Sequence, residues 1–135
     1  MEATGPARAA DRDSFVAYRE LERKLPVIID EGCRDLASVA EIATYADGIN
    51  IKLAKCGGIR EALRMVHAAR ALDLQVMFGC MVESELGIAQ AAQLASLADH
   101  IDLDGHLLIA TKPYRGLGLE DGRLVLSDLP GLGVE

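Results

Sequence analysis

Short apolar runs alternate along this chain with longer stretches in which apolar residues recur every three or four positions. The short runs are typical of buried strands, and the longer spacing is typical of helices with one buried face. The pattern predicts strands at 27–30, 49–53, 74–78 and 101–105. It predicts helices from Ser14 to about Lys24, after the cap Asp35, after Gly57-Gly58, and over 85–98.

The regular succession of strand and helix, at intervals of roughly 22 to 27 residues, predicts an α/β fold of about four β/α units. Two architectures fit this pattern: a small open sheet, or part of an eight-stranded barrel, which typically needs about 250 residues. We predict a flexible segment at 1–13, the β/α body at 14–111, and a glycine-rich, hairpin-like tail at 112–135 with its clearest strand at 123–126.

Composition and charge exclude several kinds of partner. A net charge of -7 argues against nucleic acid and against anionic membrane surfaces, both of which attract clustered Lys and Arg. No apolar run is long enough to span a membrane, and the first ten residues lack the apolar stretch of a secretory signal. The three cysteines have no metal-ligand spacing and are interpreted as reduced residues. A cytoplasmic location is therefore expected.

Polar residues stand near the carboxyl ends of three predicted strands. Because parallel strands end on one rim, Asp30, Lys52 and the pair Asp102/Asp104 are expected to gather there. Asp30 either caps the next element or binds a cation. Lys52 shares a strand face with Asn50, and either acts as a base in a site or reaches outward to water.

Asp102 and Asp104 lie two apart, so a continuous strand would place both carboxylates on one face. Such a pair needs a neutralising cation, which a metal, a lysine or a substrate ammonium would supply. The alternative is that Asp104 simply begins a turn.

Other polar residues carry weaker signals. Lys55 has the opposite parity to Lys52 and is expected to be solvated. Gly57-Gly58 either holds an anion at a helix start or makes a close turn. Glu83 and Ser84 are explained by helix capping, and the histidines beside the Asp pair by packing or loop positions.

Five segments in order carry a resemblance to a known family: 29–32 (IDEG), 49–59 (INIKLAKCGGI), 79–84 (GCMVES), 102–105 (DLDG) and 130–135 (PGLGVE). The chain resembles the C-terminal half of enolase-superfamily enzymes of the muconate-lactonizing subgroup. Within that subgroup it is most similar to dipeptide epimerases of the alanyl-glutamate type.

The resemblance implies the last four β/α units of a TIM-type barrel and a Mg²⁺-dependent reaction. In the family, a lysine removes the proton α to a carboxylate, the metal stabilises the enediolate, and a second lysine returns a proton to the other face. It implies that Asp30 is the third metal ligand and Lys52 one of the two lysines. Asp102 and Asp104 would hold the α-ammonium of a dipeptide, with Glu83 at the pocket rim.

The chain also departs from the family pattern. It lacks the Lys-x-Lys strand, the first two metal-binding acids and the capping domain towards which the tail would pack. We therefore expect a C-terminal fragment, inactive alone, whose partner is a missing N-terminal half or a second copy. The alternatives are an o-succinylbenzoate synthase, an N-acylamino-acid racemase or a cycloisomerase of the same subgroup, and a non-catalytic half-barrel that self-associates.

Overall fold

The structure, a computed structural model, describes residues 9–21 and 25–135. Four strands form one sheet in the order β1-β2-β3-β4, and every neighbouring pair is parallel. Helices separate successive strands, and an antiparallel hairpin of β5 and β6 follows the sheet. The elements are α1 (Ala9–Glu20), β1 (Ile28–Ile29), α2 (Leu36–Ile42), β2 (Gly48–Ile51), α3 (Leu53–Cys56), α4 (Ile59–Ala71), β3 (Gln75–Gly79), α5 (Glu85–Ala92), β4 (His100–Asp102), β5 (Leu117–Glu120) and β6 (Arg123–Leu126).

The core lies between the sheet and the helices. Ile49 and Ile51 of β2 and Val76 and Phe78 of β3 are fully buried there, because alternate strand residues face the helix layer. They pack with buried residues of α2 and α4, of which Val39, Ile42, Met65 and Ala69 are almost completely shielded from water. This packing fixes where each strand ends, and so fixes the site described below.

Capping chemistry sets the start of α2 as the sequence predicts. Asp35 is the N-cap residue, and its carboxylate accepts a hydrogen bond from the Ser38 N–H at 2.9 Å. The Ser38 hydroxyl in turn accepts from the Asp35 N–H at 3.1 Å, which completes a reciprocal capping box. Two donors that the first turn of a helix leaves unpaired are thereby satisfied.

The first helix begins earlier than the pattern indicates. α1 starts at Ala9 rather than Ser14. The flexible segment expected at 1–13 stays a prediction. Residues 1–8 and 22–24 lie outside the described part of the chain, so most of that segment and the predicted helix end near Lys24 have no structural outcome. Phe15 anchors the helix, because its buried ring stacks on Tyr45 at a centroid distance of 6.1 Å.

Later boundaries also differ from the pattern. α5 ends at Ala92, and a separate 3-10 helix covers Ala95–Leu97 where one long helix is predicted. β4 ends at Asp102, and Gly105–Leu108 forms another 3-10 helix in place of the predicted strand end. The hairpin-like tail is present, and two backbone hydrogen bonds of 2.9 Å join Arg115 to Glu135.

The sheet is open at both sides. Among the described strands, β1 pairs only with β2 and β4 pairs only with β3. Each therefore exposes backbone groups along one edge. Within residues 9–21 and 25–135, no helix is long and apolar enough to cross a bilayer.

Candidate functional site

A buried acid lies at the carboxyl end of β1, held by two amines. Asp30 is only 2% exposed. Its Oδ2 accepts a hydrogen bond from the Lys52 Nζ at 2.7 Å, and its Oδ1 accepts one from the Lys55 Nζ at 2.8 Å. Lys55 also donates to the Asp30 backbone carbonyl at 2.7 Å. A charged acid is stable at such depth because charge-assisted hydrogen bonds replace its lost hydration.

The local fold explains why both lysines reach one acid. Lys52 directly follows β2, the parallel neighbour of β1, and is the N-cap residue of the one-turn helix α3. Residues three apart on a helical turn lie on the same side, so Lys55 returns to the position that Lys52 faces. The alternation of side chains along a strand predicts instead that Lys55 points away from Lys52, because it assumes that the strand continues to Leu53. The expectation that Lys55 is solvated is therefore wrong: its side chain is 14% exposed.

Two glycines end that turn. Gly57 has φ 88° and Gly58 has φ 121°, a left-handed region that L side chains rarely adopt. The turn stops there, and α4 begins at the next residue. The Gly-Gly pair thus fixes the length of the segment that carries both amines.

Glu31 adds a second acid to this group. Its Oε1 lies 3.8 Å from the Lys52 Nζ and 4.0 Å from the Lys55 Nζ, and its side chain is 32% exposed. The assembly contains two carboxylates and two amines, so its formal charge is balanced. We call Asp30, Glu31, Lys52 and Lys55 the rim cluster.

The second predicted pair of acids lies elsewhere on the same rim. Asp102 ends β4, and the order of the sheet puts β4 three strands from β1, a separation of about 14 Å at normal strand spacing. Asp104 is the N-cap residue of the 3-10 helix, with φ -96° and ψ -4°, so it does not continue the strand. The prediction that both carboxylates share one strand face is wrong, because the strand ends between them. Both residues are exposed.

Glu83 is half-buried and turned towards its own loop. Its Oε1 accepts a hydrogen bond from the Met81 N–H at 3.2 Å. This carboxylate supports the turn that follows β3. Its predicted place at a substrate pocket stays a prediction.

A cavity of about 460 Å³ opens beside β4. Its polar lining includes Asp102, Asp104, His106 and Arg123, and its apolar lining comes from α5, β4, the two 3-10 helices and the tail hairpin. Asp30 and Lys52 are not among the residues that line it. The cavity and the rim cluster are therefore separate features of this chain.

Two buried polar atoms have no hydrogen-bond partner in the described part of the chain: Asn50 Oδ1 and His106 Nδ1. Each residue is 3% exposed. Sequence reasoning places Asn50 on the strand face of Lys52 without giving it a role. A buried acceptor without a hydrogen-bond partner is rare in folded proteins. The only sign of Asn50 in the sequence was its position as a polar residue within an apolar run.

The three cysteines are unpaired, and two of them have environments that favour the thiol. Burial raises the pKa of Cys33 to about 12. Burial also raises the pKa of Cys80, although the backbone N–H of Gly105 opposes the shift. Since the thiolate is the reactive form, neither residue is a suitable nucleophile at neutral pH.

The residues that the structure describes do not form a complete magnesium site. No group of three or more His, Cys, Asp and Glu residues in that part of the chain is arranged to hold a metal ion. Both oxygens of Asp30 are bonded to amines. Mg²⁺ requires near-octahedral oxygen coordination, which one carboxylate cannot supply. We therefore assign no chemical step to a metal.

These features define a class: parallel β/α units whose carboxyl-end rim carries an acid and two amines. The sequence matches the family described as "Enolase C-terminal domain-like" over residues 6–135, so the chain belongs to this family. The resemblance seen in the sequence is thereby confirmed.

Curated relatives are epimerases and racemases. The hydrophobic dipeptide epimerase of Roseobacter litoralis is 46% identical over 112 residues, which cover 83% of this chain and 33% of the relative. The L-Ala-D/L-Glu epimerase of Bacteroides thetaiotaomicron is 44% identical over 119 residues, covering 88% and 31%. An N-acetyl-D-glutamate racemase from Pseudoalteromonas is 34% identical over 100 residues. The chain thus spans about a third of these relatives, and their names confirm the predicted enzyme class at the level of the family.

Solved structures confirm the fold class. A dipeptide epimerase from Methylococcus capsulatus, solved with Mg and the dipeptide L-Arg-D-Lys, matches with a TM-score of 0.83 at 32% identity, covering 98% of this chain and 39% of that one. A mandelate racemase/muconate lactonizing protein from Herpetosiphon aurantiacus matches with a TM-score of 0.86 at 36% identity, covering 100% and 39%. Of the two architectures left open by the pattern, the partial barrel is correct, and its sheet is not closed.

Proposed function

We propose that this chain is the C-terminal catalytic portion of a dipeptide epimerase, in which Lys52 moves a proton at the carbon next to a carboxylate. The observation that carries the proposal is the 2.7 Å hydrogen bond between the Lys52 Nζ and Asp30 at the strand rim. The names of the relatives support the substrate class.

Lys52 is suited to proton transfer by its surroundings. Its side chain is 12% exposed, so bulk water has little access to the amine. When a neutral amine accepts a proton, the ammonium that forms needs a nearby negative charge, and the Asp30 carboxylate supplies it. The same ammonium then serves as the donor in the reverse direction.

Inversion at a carbon requires a second proton carrier on the opposite face. Lys55 cannot serve, because it meets the same carboxylate as Lys52 and therefore approaches from the same side. We propose that the second carrier, the other magnesium ligands and the capping domain belong to polypeptide outside these 135 residues. In that arrangement Asp30, whose two carboxylate oxygens each keep a second lone pair, is the ligand this chain offers to Mg²⁺. The isolated chain is then inactive.

Asp102 and Asp104 are proposed to hold the dipeptide's α-ammonium, with Glu83 at the pocket rim. The exposed carboxylates at and just after the end of β4 support this, because a substrate ammonium is one of the cations that neutralise such a pair. The tail, residues 112–135, is proposed to pack towards the capping domain. A cytoplasmic compartment is also proposed, supported by three unpaired cysteines.

The first prediction concerns activity. The purified chain with Mg²⁺ and L-Ala-L-Glu in D₂O is expected to show neither epimerisation nor deuterium incorporation at Cα by NMR, because one face lacks its proton carrier. Co-expression with the N-terminal two-thirds of a relative is expected to restore epimerisation. Lys52→Met in the restored protein should abolish it, whereas Lys112→Met, a change at an exposed tail residue, should not. Robust turnover by the isolated chain would contradict the proposed incompleteness.

The second prediction concerns the substrate. Asp102→Asn in the restored protein is expected to raise KM for dipeptides with a free amino group by about tenfold, because a hydrogen bond between charged groups contributes about 1.5 kcal/mol or more. N-acylated substrates carry no ammonium and should be unaffected. Equal response to both substrates would favour another member of the subgroup, such as an N-acylamino-acid racemase.

A second candidate function is a non-catalytic half-barrel that pairs with another copy of itself. The unpaired edges of β1 and β4 favour it. A two-fold axis parallel to the strands would set β4 of each copy beside β1 of the other and close eight strands. Light scattering of the isolated chain tests this candidate.

A further inference from the structure

Lys55 makes more contacts with the site than the reaction proposed above uses. Its Nζ donates to Asp30 twice, once to the carboxylate and once to the backbone carbonyl. An exposed lysine would lose side-chain entropy in such an arrangement for little gain. A lysine that is 14% exposed and bonded to an almost completely buried acid has a more defined role.

We infer that Lys55 is a positioning residue: it fixes the Asp30 carboxylate, and through that carboxylate it fixes the Lys52 amine. The inference deepens the proposed function and rests on it where activity is concerned. The geometry itself concerns only residues of this chain.

The two hydrogen bonds donated by Lys55 restrict rotation of the Asp30 carboxylate. A carboxylate held at one oxygen can still turn about its side-chain bonds, whereas Lys55 holds Oδ1 and the carbonyl of the same residue. Oδ2 is then left directed at Lys52, 2.7 Å away. Proton-transfer groups lose efficiency when their placement is loose by even about an ångström, so this restraint bears directly on the amine.

Lys55 also joins two separate segments. The Asp30 carbonyl accepts a second hydrogen bond from the Cys33 N–H at 2.9 Å, which closes the turn after β1. On the other side, the Lys55 N–H donates to the Lys52 carbonyl at 2.9 Å, within the turn that follows β2. Lys55 therefore connects the loop that carries the acid to the turn that carries the amine.

A catalytic role for Lys55 itself fits less well. An amine that carries protons to substrate must exchange its hydrogen-bond partners, and Lys55 would have to release both acceptors on Asp30. Lys52 donates to Asp30 only through the carboxylate, so the two hydrogen bonds of Lys55 keep Asp30 in place while Lys52 exchanges its partner. Lys55 is therefore best placed to hold the Asp30 carboxylate, and Lys52 is best placed to transfer the proton.

The test uses the isolated chain and does not depend on activity. NMR of the Lys52 side chain should show a single ordered conformation in the wild type. In Lys55→Met, the Lys52 signals should move to those of a mobile lysine, and the Cys33 amide should exchange with solvent faster, on the order of tenfold. Lys55→Arg keeps the charge and several donors, and should restore both. Arg64→Met, which removes an exposed ion pair with Glu61, is the matched control and should change neither.

Stability alone does not support the inference. If Lys55→Met lowers the melting temperature but leaves Lys52 ordered, Lys55 has only a structural role and the inference is overturned. If Lys55→Met fails to fold, Lys55→Leu, which also removes every donor, is measured instead. An ordered Lys52 in Lys55→Leu would overturn the inference equally.

A second arm uses the restored protein. Lys55→Met should lower kcat by about tenfold or more with KM little changed, since positioning acts on the transfer step. Lys55→Arg should recover most of kcat. If the wild-type restored protein has no activity, the proposed function fails, whereas the NMR result still decides whether Lys55 orders Lys52.

Discussion

Two buried polar side chains, one just after β1 and one within the neighbouring strand β2, have contrasting environments. Asp30 lies one residue beyond β1 and finds two amines. Asn50 lies within β2 and finds no partner for its Oδ1 among the described residues. Both are almost completely buried, so the difference in hydrogen bonding determines the energetic effect of each.

Replacement of Asn50 follows from this difference. Asn50→Leu is expected to leave the free energy of unfolding of the isolated chain unchanged or to raise it by about 1 kcal/mol, because an apolar group of similar size removes an unsatisfied acceptor. Asn50→Asp should lower it by about 2 kcal/mol or more, because it buries an unpaired charge. Urea unfolding followed by circular dichroism measures both. A loss of more than about 2 kcal/mol in Asn50→Leu would show that Oδ1 has a partner after all.

Single residues also show what the sequence could and could not predict. The meeting of Asp30 with Lys52 was predictable, since it follows from the parallel order of strands alone. The position of Lys55 was not, because period-two parity holds only while a strand continues and β2 ends at Ile51. The spacing Lys-x-x-Lys followed by Gly-Gly was the available signal of a helical turn. That β4 stops at Asp102 and does not continue to Asp104 was missed for the same reason.

At the scale of elements, the order of strands and helices was predictable because apolar periodicity and caps agree. Asp35 begins α2 where expected, and Gly58 precedes α4. The ends of elements were less predictable. Ala-rich segments such as α5 have no strong stop signal, so tertiary packing rather than propensity ends the helix at Ala92.

The cap of α2 gives a prediction at this scale. Asp35→Ala removes the carboxylate that accepts from Ser38, and should lower stability by about 1 kcal/mol, or roughly 3 to 4 °C in melting temperature for a chain of this size. Asp35→Asn keeps an acceptor and should be near wild type. Asp128→Ala, at an exposed tail residue, serves as the control. Differential scanning calorimetry measures the shift, and an unchanged Asp35→Ala would mean that solvent replaces the cap.

At the scale of the whole molecule, the sheet is incomplete while its core is well packed. The central strands and their helices bury a continuous set of apolar residues. Apolar side chains near the β4 edge remain in contact with water, with Ile101 at 50% exposure and Leu108 at 71%. A free edge beside exposed apolar groups favours association with another chain.

Light scattering tests that association. The isolated chain at micromolar concentration is expected to form dimers or larger species, because pairing along the β4 edge removes Ile101 from water. Ile101→Lys should shift the population towards monomer. Leu72→Lys alters a residue of similar exposure (45%) at the end of α4 and should not. A monomer at every concentration measured would contradict self-association. Restoration of activity by the N-terminal two-thirds of a relative would then favour the catalytic proposal.

The two glycines after α3 constrain how this site can change over generations. A side chain at Gly57 or Gly58 would meet no heavy atom within 4 Å, so there is room for one at either place. The backbone angles nevertheless exclude nearly every L residue, most strictly at Gly58, whose φ and ψ fall in a region reserved for glycine. Substitutions at these two positions would therefore change the spacing of the two amines even though the added Cβ meets no neighbouring atom. The free volume around the two glycines does not reveal this constraint.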